Sequence, residues 1–205
     1  MTDTIYGEYV PALEAVLNDL VRRIQAYNEK EKKQNGEAAY EHLIYRLKSQ
    51  DSMTAKCRRK GLPQVPHSAV HDIRDAIGLR IVCRFIDDIY VNVNYIKAFT
   101  ECRVVQEKDY IKHVKPNGYR SYHMIIELTE PYKDVDGVNP GHFFAEIQIR
   151  TIAMDSWASL EHQMKYKHDI QNPEMIVREL KRCADELAAC DVSMQTIRNL
   201  IHTVQ

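Results

Sequence analysis

The chain has 205 residues, of which 44% are hydrophobic and 28% are charged, the balance expected of one globular domain with its own core. Its formal net charge of −1 excludes bulk polyanion binding, so any phosphate site must be a local cluster of cations. The sequence has no apolar run of about 18 residues and no signal-peptide pattern in MTDTIYGEYV, so we expect neither a membrane span nor a leader. Its five cysteines are odd in number and form no CxxC pair, which favours a reduced, cytoplasmic protein without disulfides or a cysteine zinc site.

The first predicted element is a helix over residues 6–33, because apolar residues recur at alternating spacings of four and three. This stripe consists of Tyr6, Val10, Leu13, Leu17, Leu20, Ile24 and Tyr27. A polar connector is predicted over 29–37, followed by a strand over 39–49. A short helix over 52–60 comes next, and Gly61 is well placed to end it.

The middle of the chain is predicted to be rich in strands. A loop with two prolines over 62–70 precedes them, a helix over 87–99 interrupts them, and a turn-rich stretch over 129–141 joins the last two as a hairpin-like connection. The predicted strands span 79–86, 101–107, 121–129 and 142–150.

Two helices complete the prediction, over residues 151–167 and 173–203, and Asn172 is the expected N-cap of the second. The last helix has a second apolar stripe, formed by Ile176, Leu180, Cys183, Leu187, Cys190, Met194, Ile197 and Ile201. A stripe this narrow suits helix-on-helix packing. Two interpretations stay open: the long helices pack on each other within one chain, or at least one stripe forms a subunit interface.

Cations gather in the segment YRLKSQDSMTAKCRRKG. Arg46 and Lys48 share one face of the predicted strand, and the helix that follows presents Ser52, Lys56 and Arg59 on one face. The helix N-terminus near Ser52 adds oriented backbone N–H groups. Converging donors of this kind suit a triphosphate, and the alternative is a solvated basic helix.

Two carboxylates are candidates for metal or acid–base chemistry. Asp75 stands just ahead of a strand that includes Arg80, and a carboxylate at a sheet edge is a usual Mg²⁺ ligand, although it also suits a turn or a salt bridge. Glu146 lies among apolar residues, so it either pairs with a cation such as Arg150 or serves a metal or base. Glu146, Gln148 and Arg150 form a polar stripe on one strand face, which is typical of a site.

The segment NGYRSYH places an Asn117-Gly118 turn, which requires a positive φ, directly before Tyr119. We expect the Tyr119 ring to be exposed and free to stack on a base. The polar residues around it are Lys112, Lys115, Arg120 and His123. The alternative is a hairpin tip with ordinary surface aromatics.

The dipeptide His71-Asp72 opens the metal motif of one class of phosphohydrolases. That site needs further His and Asp ligands from other helices of a long all-helical domain, for which this chain has no room. The sequence therefore argues against a metal role for His71.

Four motifs resemble those of the RelA/SpoT-type alarmone synthetases in order and spacing: RxKxxxSxxxKxxRKG, DxxGLR, DYIxxxKxNGYRSYH and EIQIRTxAMxxWAxxEH. The chain looks most like the small stand-alone members, as one synthetase domain over 1–205 with a core at about 40–168. The resemblance implies an α+β fold, with a mixed five-stranded sheet flanked by helices and similar to nucleotidyltransferases. It also implies pyrophosphate transfer from ATP to the 3′-hydroxyl of GDP or GTP, with Mg²⁺ as cofactor and ppGpp or pppGpp as product. Known small members are homotetramers, and the apolar stripes of the two long helices would allow such an assembly. The sequence does not decide whether RNA regulates the activity.

The resemblance also implies roles by position. Arg46 and Arg80 look like the pair that sandwiches adenine, and the donors to the ATP phosphates resemble Lys48, Ser52, Lys56 and Arg59. Asp75 looks like the principal Mg²⁺ ligand, and Glu146 like the second acid, which helps hold the metal and activates the 3′-hydroxyl.

The acceptor site follows from the same resemblance. Tyr119 looks like the residue that stacks on guanine. The remaining acceptor residues are Lys112, Lys115, His123, Gln148 and Arg150.

The chain departs from the family pattern at three places. DAIGLR replaces DIAGLR, Val114 replaces a proline, and Lys165 stands where close relatives often have an asparagine that reads the guanine edge. The third departure leaves guanine selectivity open. Two other functions therefore stay open: a synthetase with adenine-nucleotide acceptors, and a nucleotide- or RNA-binding module on an inactive synthetase fold. The pair of Asp75 and Glu146 argues against the module, since a pure binder has no need of both acids.

Overall fold

The computed structural model describes residues 4–165 and 172–203, with the backbone alone at Lys165. A 3₁₀ turn, Gly7–Tyr9, leads into α1, Val10–Asn35, which has Pro11 in its first turn. The predicted connector over 29–37 is wrong as far as Asn35, because its Glu and Lys residues are good helix formers and continue the helix. Gly36, with φ of 76°, ends α1.

Five strands form one mixed sheet, as expected. Their bounds are His42–Leu47 for β1, Ile77–Cys83 for β2, Cys102–Asp109 for β3, Tyr122–Glu130 for β4 and Gly141–Thr151 for β5. Their order across the sheet is β1-β2-β5-β4-β3. The central strands β2 and β5 run parallel, and the other three neighbouring pairs are antiparallel. The turn-rich connection between β4 and β5 is confirmed, since Glu130 pairs with Gly141.

The remaining helices are α2, Gln50–Lys60, α3, Ile86–Lys97, α4, Ile152–Lys165, and α5, Pro173–Thr203. Gly61 ends α2 with φ of 68°, and Asn172 Oδ1 accepts a hydrogen bond from the Met175 N–H at 3.3 Å, so both predicted caps are confirmed. The proline loop ends in a π-helical turn, Ser68–Asp72. Among the described helices, none has the length and apolarity needed to cross a membrane.

The two faces of the sheet differ in chemistry. Alternate residues of the central strands point into one core with α1, α2 and α3; examples are Ile77, Leu79 and Ile81 of β2 and Ala145, Ile147 and Ile149 of β5. The residues between them, such as Gly78, Arg80, Glu146 and Gln148, point to the opposite face. Burial of the apolar face therefore presents the polar stripe of β5 on the other side.

The two long helices do not pack on each other in the described part of the chain, contrary to the intrachain interpretation. The α1 stripe is widened by the buried Val16 and Val21 and covers the sheet. The N-terminal half of α5 packs on α4, where Trp157, Ala158 and Ala184 form a small cluster. The C-terminal half of α5 meets α3, since Gln195 Oε1 accepts from the Asp87 N–H at 3.1 Å.

Candidate active site

A cavity of about 510 Å³ lies on the polar face, between β1, β2, β5 and α4. It brings together eight of the predicted site residues: Arg46, Lys48, Asp75, Arg80, Tyr119, Glu146, Gln148 and Arg150. Residues separated by about 100 positions in sequence therefore meet, because β1, β2 and β5 are neighbours in the sheet.

Asp75 is buried at the start of β2, where Lys48 and Lys56 both donate to its Oδ2 atom. Burial favours the neutral acid, but the hydrogen bonds and charges of the two lysines outweigh it and hold the pKa of Asp75 below its ordinary value. Its Oδ1 atom is buried and has no hydrogen-bond partner among the described residues. An ionised carboxylate that lines a cavity and has one unpaired oxygen is a suitable ligand for a hard divalent cation.

Glu146 lies on β5 opposite Gly78 of β2 and lines the same cavity as Asp75. Its partners are His123, with Nδ1 at 3.7 Å, and Gln148, which donates at 3.2 Å. Burial would raise the pKa of Glu146, but His123 outweighs it and lowers that pKa, while the nearby Asp75 charge acts in the raising direction. The alternative pairing of Glu146 with Arg150 is wrong, since Arg150 donates to Asp155 at 3.0 Å.

Arg46 and Arg80 are diagonal neighbours on the cavity face of β1 and β2, because Arg46 pairs with Gly78 and Ile44 with Arg80. Gly78 adds no side chain to the floor beside them. Burial and the Arg150 charge both lower the pKa of Arg80, and Asp155 offsets them with a carboxylate oxygen 3.2 Å from Nη1. Asp155 therefore orders two arginines at once, a role that sequence reasoning missed; the available signal was an acid in the first turn of a helix that directly follows β5.

Tyr119 is half-buried, so the expectation of a free, exposed ring is wrong. Arg150 Nη2 donates to its hydroxyl at 2.6 Å, and His123 Nε2 lies 2.8 Å from the same oxygen. The ring also meets Trp157 edge to face, with centroids 6.3 Å apart. Lys115 Nζ lies 4.7 Å from the ring centroid, so one face of the ring is occupied by an ammonium group.

Gly118 has φ of 90°, which confirms the predicted positive φ. A Cβ atom at this position would lie 2.5 Å from the Cβ of Ala184, so the turn is docked closely on α5. Arg120 strengthens this docking, because it donates to the Ala184 carbonyl at 3.1 Å and to Asp185 at 3.2 Å. The turn that positions Tyr119 is therefore held by the last helix.

Some predicted residues do not line the cavity. Lys56 and His123 reach it only through Asp75 and Glu146. The Ser52 hydroxyl accepts from Ser49 at 2.9 Å, and Arg59 is exposed on α2. Lys112 Nζ lies 5.0 Å from the ring centroid of Tyr90, away from the cavity. The side chain of Lys165 lies outside the described residues.

Comparisons with known proteins agree on one family. The family model described as the region found in RelA / SpoT proteins matches residues 45–171. GTP pyrophosphokinase YwaC of Bacillus subtilis (strain 168) is 43% identical over 164 residues, covering 80% of this chain and 76% of that protein. A GTP pyrophosphokinase family protein from Streptococcus pneumoniae superposes with a TM-score of 0.84 at 32% identity, covering 100% of this chain and 97% of that one. Small alarmone synthetase 1 from Bacillus subtilis, bound to its product pppGpp, superposes with a TM-score of 0.81 at 32% identity, covering 94% of this chain and 95% of that one.

Proposed function

Since the chain belongs to the RelA/SpoT family, we propose that it is a GTP diphosphokinase, which transfers pyrophosphate from ATP to the 3′-hydroxyl of GDP or GTP and makes ppGpp or pppGpp. The observation that carries this proposal is that Asp75 and Glu146 line one cavity between the arginine pair and Tyr119. We assign the activity to a single domain over residues 1–205, with its core at about 40–168.

In this proposal, ATP lies over β1 and β2. Arg46 and Arg80 stack on the two faces of adenine, and Gly78 leaves room for the ring. When ATP binds, the ammonium groups of Lys48 and Lys56 leave Asp75 and donate to phosphate oxygens instead. The phosphates offer more acceptor oxygens and more negative charge than the single carboxylate. Ser52 and Arg59, which are exposed on the same helix as Lys56, contact phosphates that extend beyond the cavity.

The residues present fit a magnesium ion. Asp75 would supply Oδ1 and, once the lysines leave, Oδ2, and Glu146 would supply a second carboxylate. Oxygen ligands of this type, completed by phosphate oxygens, are those that Mg²⁺ prefers. When bound, the ion would offset the negative charge of the donor phosphates.

The acceptor nucleotide lies on the other side of the cavity. Guanine stacks on Tyr119 after Lys115 moves from the ring to an acceptor phosphate, and His123 and Lys112 approach the same phosphates. Arg150 keeps the Tyr119 ring in place by donating to its hydroxyl, and Gln148 accepts a hydrogen bond from Arg150. Binding of the acceptor therefore exchanges a cation–π contact for a base stack and an ion pair.

Glu146 accepts the proton of the 3′-hydroxyl in this proposal, because it is an ionised carboxylate in the same cavity as Asp75. The hydroxyl oxygen then bonds to the β-phosphorus of ATP. The bond between that phosphorus and the oxygen that bridges it to the α-phosphorus breaks, and AMP leaves with this oxygen. The protein contributes mainly positioning and charge stabilisation.

We also propose a cytoplasmic homo-oligomer, with a tetramer as the expected assembly. The free thiols of Cys57 and Cys83, both buried, suit a reducing compartment. The exposed apolar half of α5 suits a subunit contact.

The function is tested by incubating the purified protein with labelled ATP, Mg²⁺ and GDP, GTP or ADP, and separating the products by charge. We expect ppGpp from GDP and pppGpp from GTP, an equal amount of AMP, and loss of both products when the metal is chelated. Product formed only with ADP would favour adenine acceptors. No product with any acceptor, despite retained ATP binding, would favour the inactive binding module.

A further inference from the structure

A second group of ligand-type side chains lies outside the active-site cavity, where the π-helical turn Ser68–Asp72 meets the β4–β5 connection. It contains His71 and Asp72 of the turn, His67 directly before the turn, and Asp136 of the connection. None of these side chains lines the cavity that contains Asp75 and Glu146.

The imidazoles of His67 and His71 share one carboxylate. The Nδ1 atom of each ring lies 3.5 Å from an oxygen of Asp72, and one ligand atom from each of the three residues can be chosen so that all lie within 4.8 Å of one another. Tetrahedral sites with bonds of about 2.0–2.2 Å separate their ligand atoms by about 3.4 Å. Each His–Asp spacing is close to this value, but His67 faces Oδ2 and His71 faces Oδ1 of Asp72, so the side chains must rotate to bring one donor atom of each residue to a single ion.

Asp136 lies beside the Nε2 atom of each histidine, the ring nitrogen that does not face Asp72, and is called the outer partner below. His67 Nε2 lies 3.4 Å from Oδ1 of Asp136, and His71 Nε2 lies 3.9 Å from Oδ2. Metal-bound histidines usually donate their second ring N–H to a carboxylate, which fixes the tautomer. Asp136 is itself held in an ordered turn, because Asp134 accepts from its N–H at 3.0 Å and from the Val138 N–H at 2.9 Å.

The backbone presents the two histidines on one side of the turn. The Ile73 N–H donates to the Ser68 carbonyl at 2.9 Å, an i→i+5 bond, and Ser68 and Ala69 are buried. Single π-helical turns are rare and occur frequently at functional sites. The turn is thus anchored from below while His67 and His71 stay open to solvent, with side-chain exposures of 46% and 41%.

We propose that His67, His71 and Asp72 bind one divalent cation of the zinc type, with Asp136 as the outer partner and solvent completing the coordination. Two imidazole nitrogens favour Zn²⁺ or a similar transition metal over Mg²⁺ and Ca²⁺, which prefer all-oxygen sites. An adjoining surface hollow, lined in part by His71 and Asp72, gives an ion access from solvent.

The site differs from the phosphohydrolase centre that the His71-Asp72 dipeptide suggested, because it takes His67 and Asp136 from nearby segments and needs no further helices. His71 therefore receives a metal role that the sequence argued against, because its fellow ligands come from segments that the phosphohydrolase centre does not use. A bound ion would tie the segment that enters β2, including Asp75 three residues after Asp72, to the β4–β5 connection.

The test is equilibrium dialysis of the untagged, reduced full-length chain against Zn²⁺ with Mg²⁺ in excess, read as metal content. We expect one Zn²⁺ per chain. His67→Ala and His71→Ala should each abolish stoichiometric binding, and His42→Ala, an exposed histidine of β1, should leave it unchanged. Asp136→Asn should weaken the affinity roughly 10- to 100-fold.

Circular dichroism without metal checks that each variant folds, and Zn²⁺ should raise the Tm of the wild type but not of His67→Ala. Absence of stoichiometric Zn²⁺ in the wild type would overturn the proposal, as would wild-type Zn²⁺ content in either histidine variant. An unchanged affinity in Asp136→Asn would overturn the outer role of that residue. Because metal content and Tm are the readouts, the result does not depend on nucleotide turnover.

Discussion

Asp75 combines two opposed features in the free protein. Its Oδ2 atom accepts from two ammonium groups, whereas its Oδ1 atom is buried without a partner among the described residues. An unpaired buried acceptor costs about 1–3 kcal/mol. Such a cost is typical of a residue that serves binding rather than stability. A cation or a phosphate-bound water offsets it by contacting Oδ1, and this happens only when the ligands are bound.

Asp75→Asn and Glu146→Gln are each expected to lower the rate of alarmone synthesis by roughly 10³-fold or more, because each removes charge or base catalysis worth several kcal/mol. The far-ultraviolet circular dichroism should stay unchanged. Glu127→Gln is the control, since Glu127 pairs with Arg103 at 2.7 Å rather than lining the cavity. Turnover close to wild type in either acidic-site variant would contradict the metal assignment.

Tyr119→Ala is expected to raise the KM for GDP about 5- to 150-fold, the equivalent of a base stack of about 1–3 kcal/mol, and to change the KM for ATP much less. Tyr119→Phe keeps the ring and loses only the hydroxyl contacts to Arg150 and His123, so its effect should be smaller. The two KM values are measured separately by varying one substrate at saturating levels of the other. An equal loss for both substrates would move the guanine site elsewhere.

The helices and strands place the site residues through the elements they pack against. β5 supplies Glu146, Gln148 and Arg150 on one face because its other face is buried against the core. α5 acts at a distance from the chemistry, since its Ala184 receives the turn at Gly118. The acceptor side of the cavity therefore depends on a helix that supplies none of its lining.

Gly118→Ala is expected to unfold at lower denaturant than the wild type and to raise the KM for the acceptor, because the new Cβ would lie 2.5 Å from that of Ala184 and displace Tyr119. Gly36→Ala is the matched control, since Gly36 also has a positive φ, 76°, and meets no atom within 4 Å. The control should lose about 1–2 kcal/mol of stability from the left-handed conformation and keep its acceptor KM. Identical kinetic effects in both variants would mean that docking on α5 does not position Tyr119.

The molecule as a whole leaves an apolar surface uncovered on the C-terminal half of α5. Its five large exposed residues, between 49% and 61% accessible, are Val192, Met194, Ile197, Leu200 and Ile201. Exposed apolar side chains gathered on one half of a helix are typical of an interaction surface. Leu187, an earlier member of the same stripe, instead packs on α4 in its own chain.

Ile197→Asp combined with Ile201→Asp is expected to reduce the sedimentation mass to that of one 23.9 kDa chain, because charge on both residues opposes burial of the patch. Val138→Asp, which changes an exposed apolar residue of the β4–β5 connection, should leave the mass of the assembly unchanged. A wild type that sediments as a single chain would contradict the interface, and so would a double variant that keeps the full assembly.

Much of the fold was predictable because periodicity and caps are local properties. The five strands, the glycine that ends α2 and the Asn172 cap all follow from short stretches of sequence, whereas the mixed five-stranded sheet was expected from the resemblance to the RelA/SpoT-type synthetases. The helical continuation over the polar residues up to Asn35 was missed, since an exposed helix leaves no apolar period to detect.

The sequence by itself determined the strand faces and the candidate polar residues on them, because alternation along a strand is set by backbone geometry. Only the tertiary structure decided which residues pair. Lys48 and Lys56 donate to Asp75, and Asp155 pairs with both Arg80 and Arg150. The turn at Gly118 packs against α5. The tertiary structure also decided that α1 covers the sheet while half of α5 stays uncovered. These pairings join residues far apart in the chain, and they depend on strand order and close packing, which no local pattern encodes.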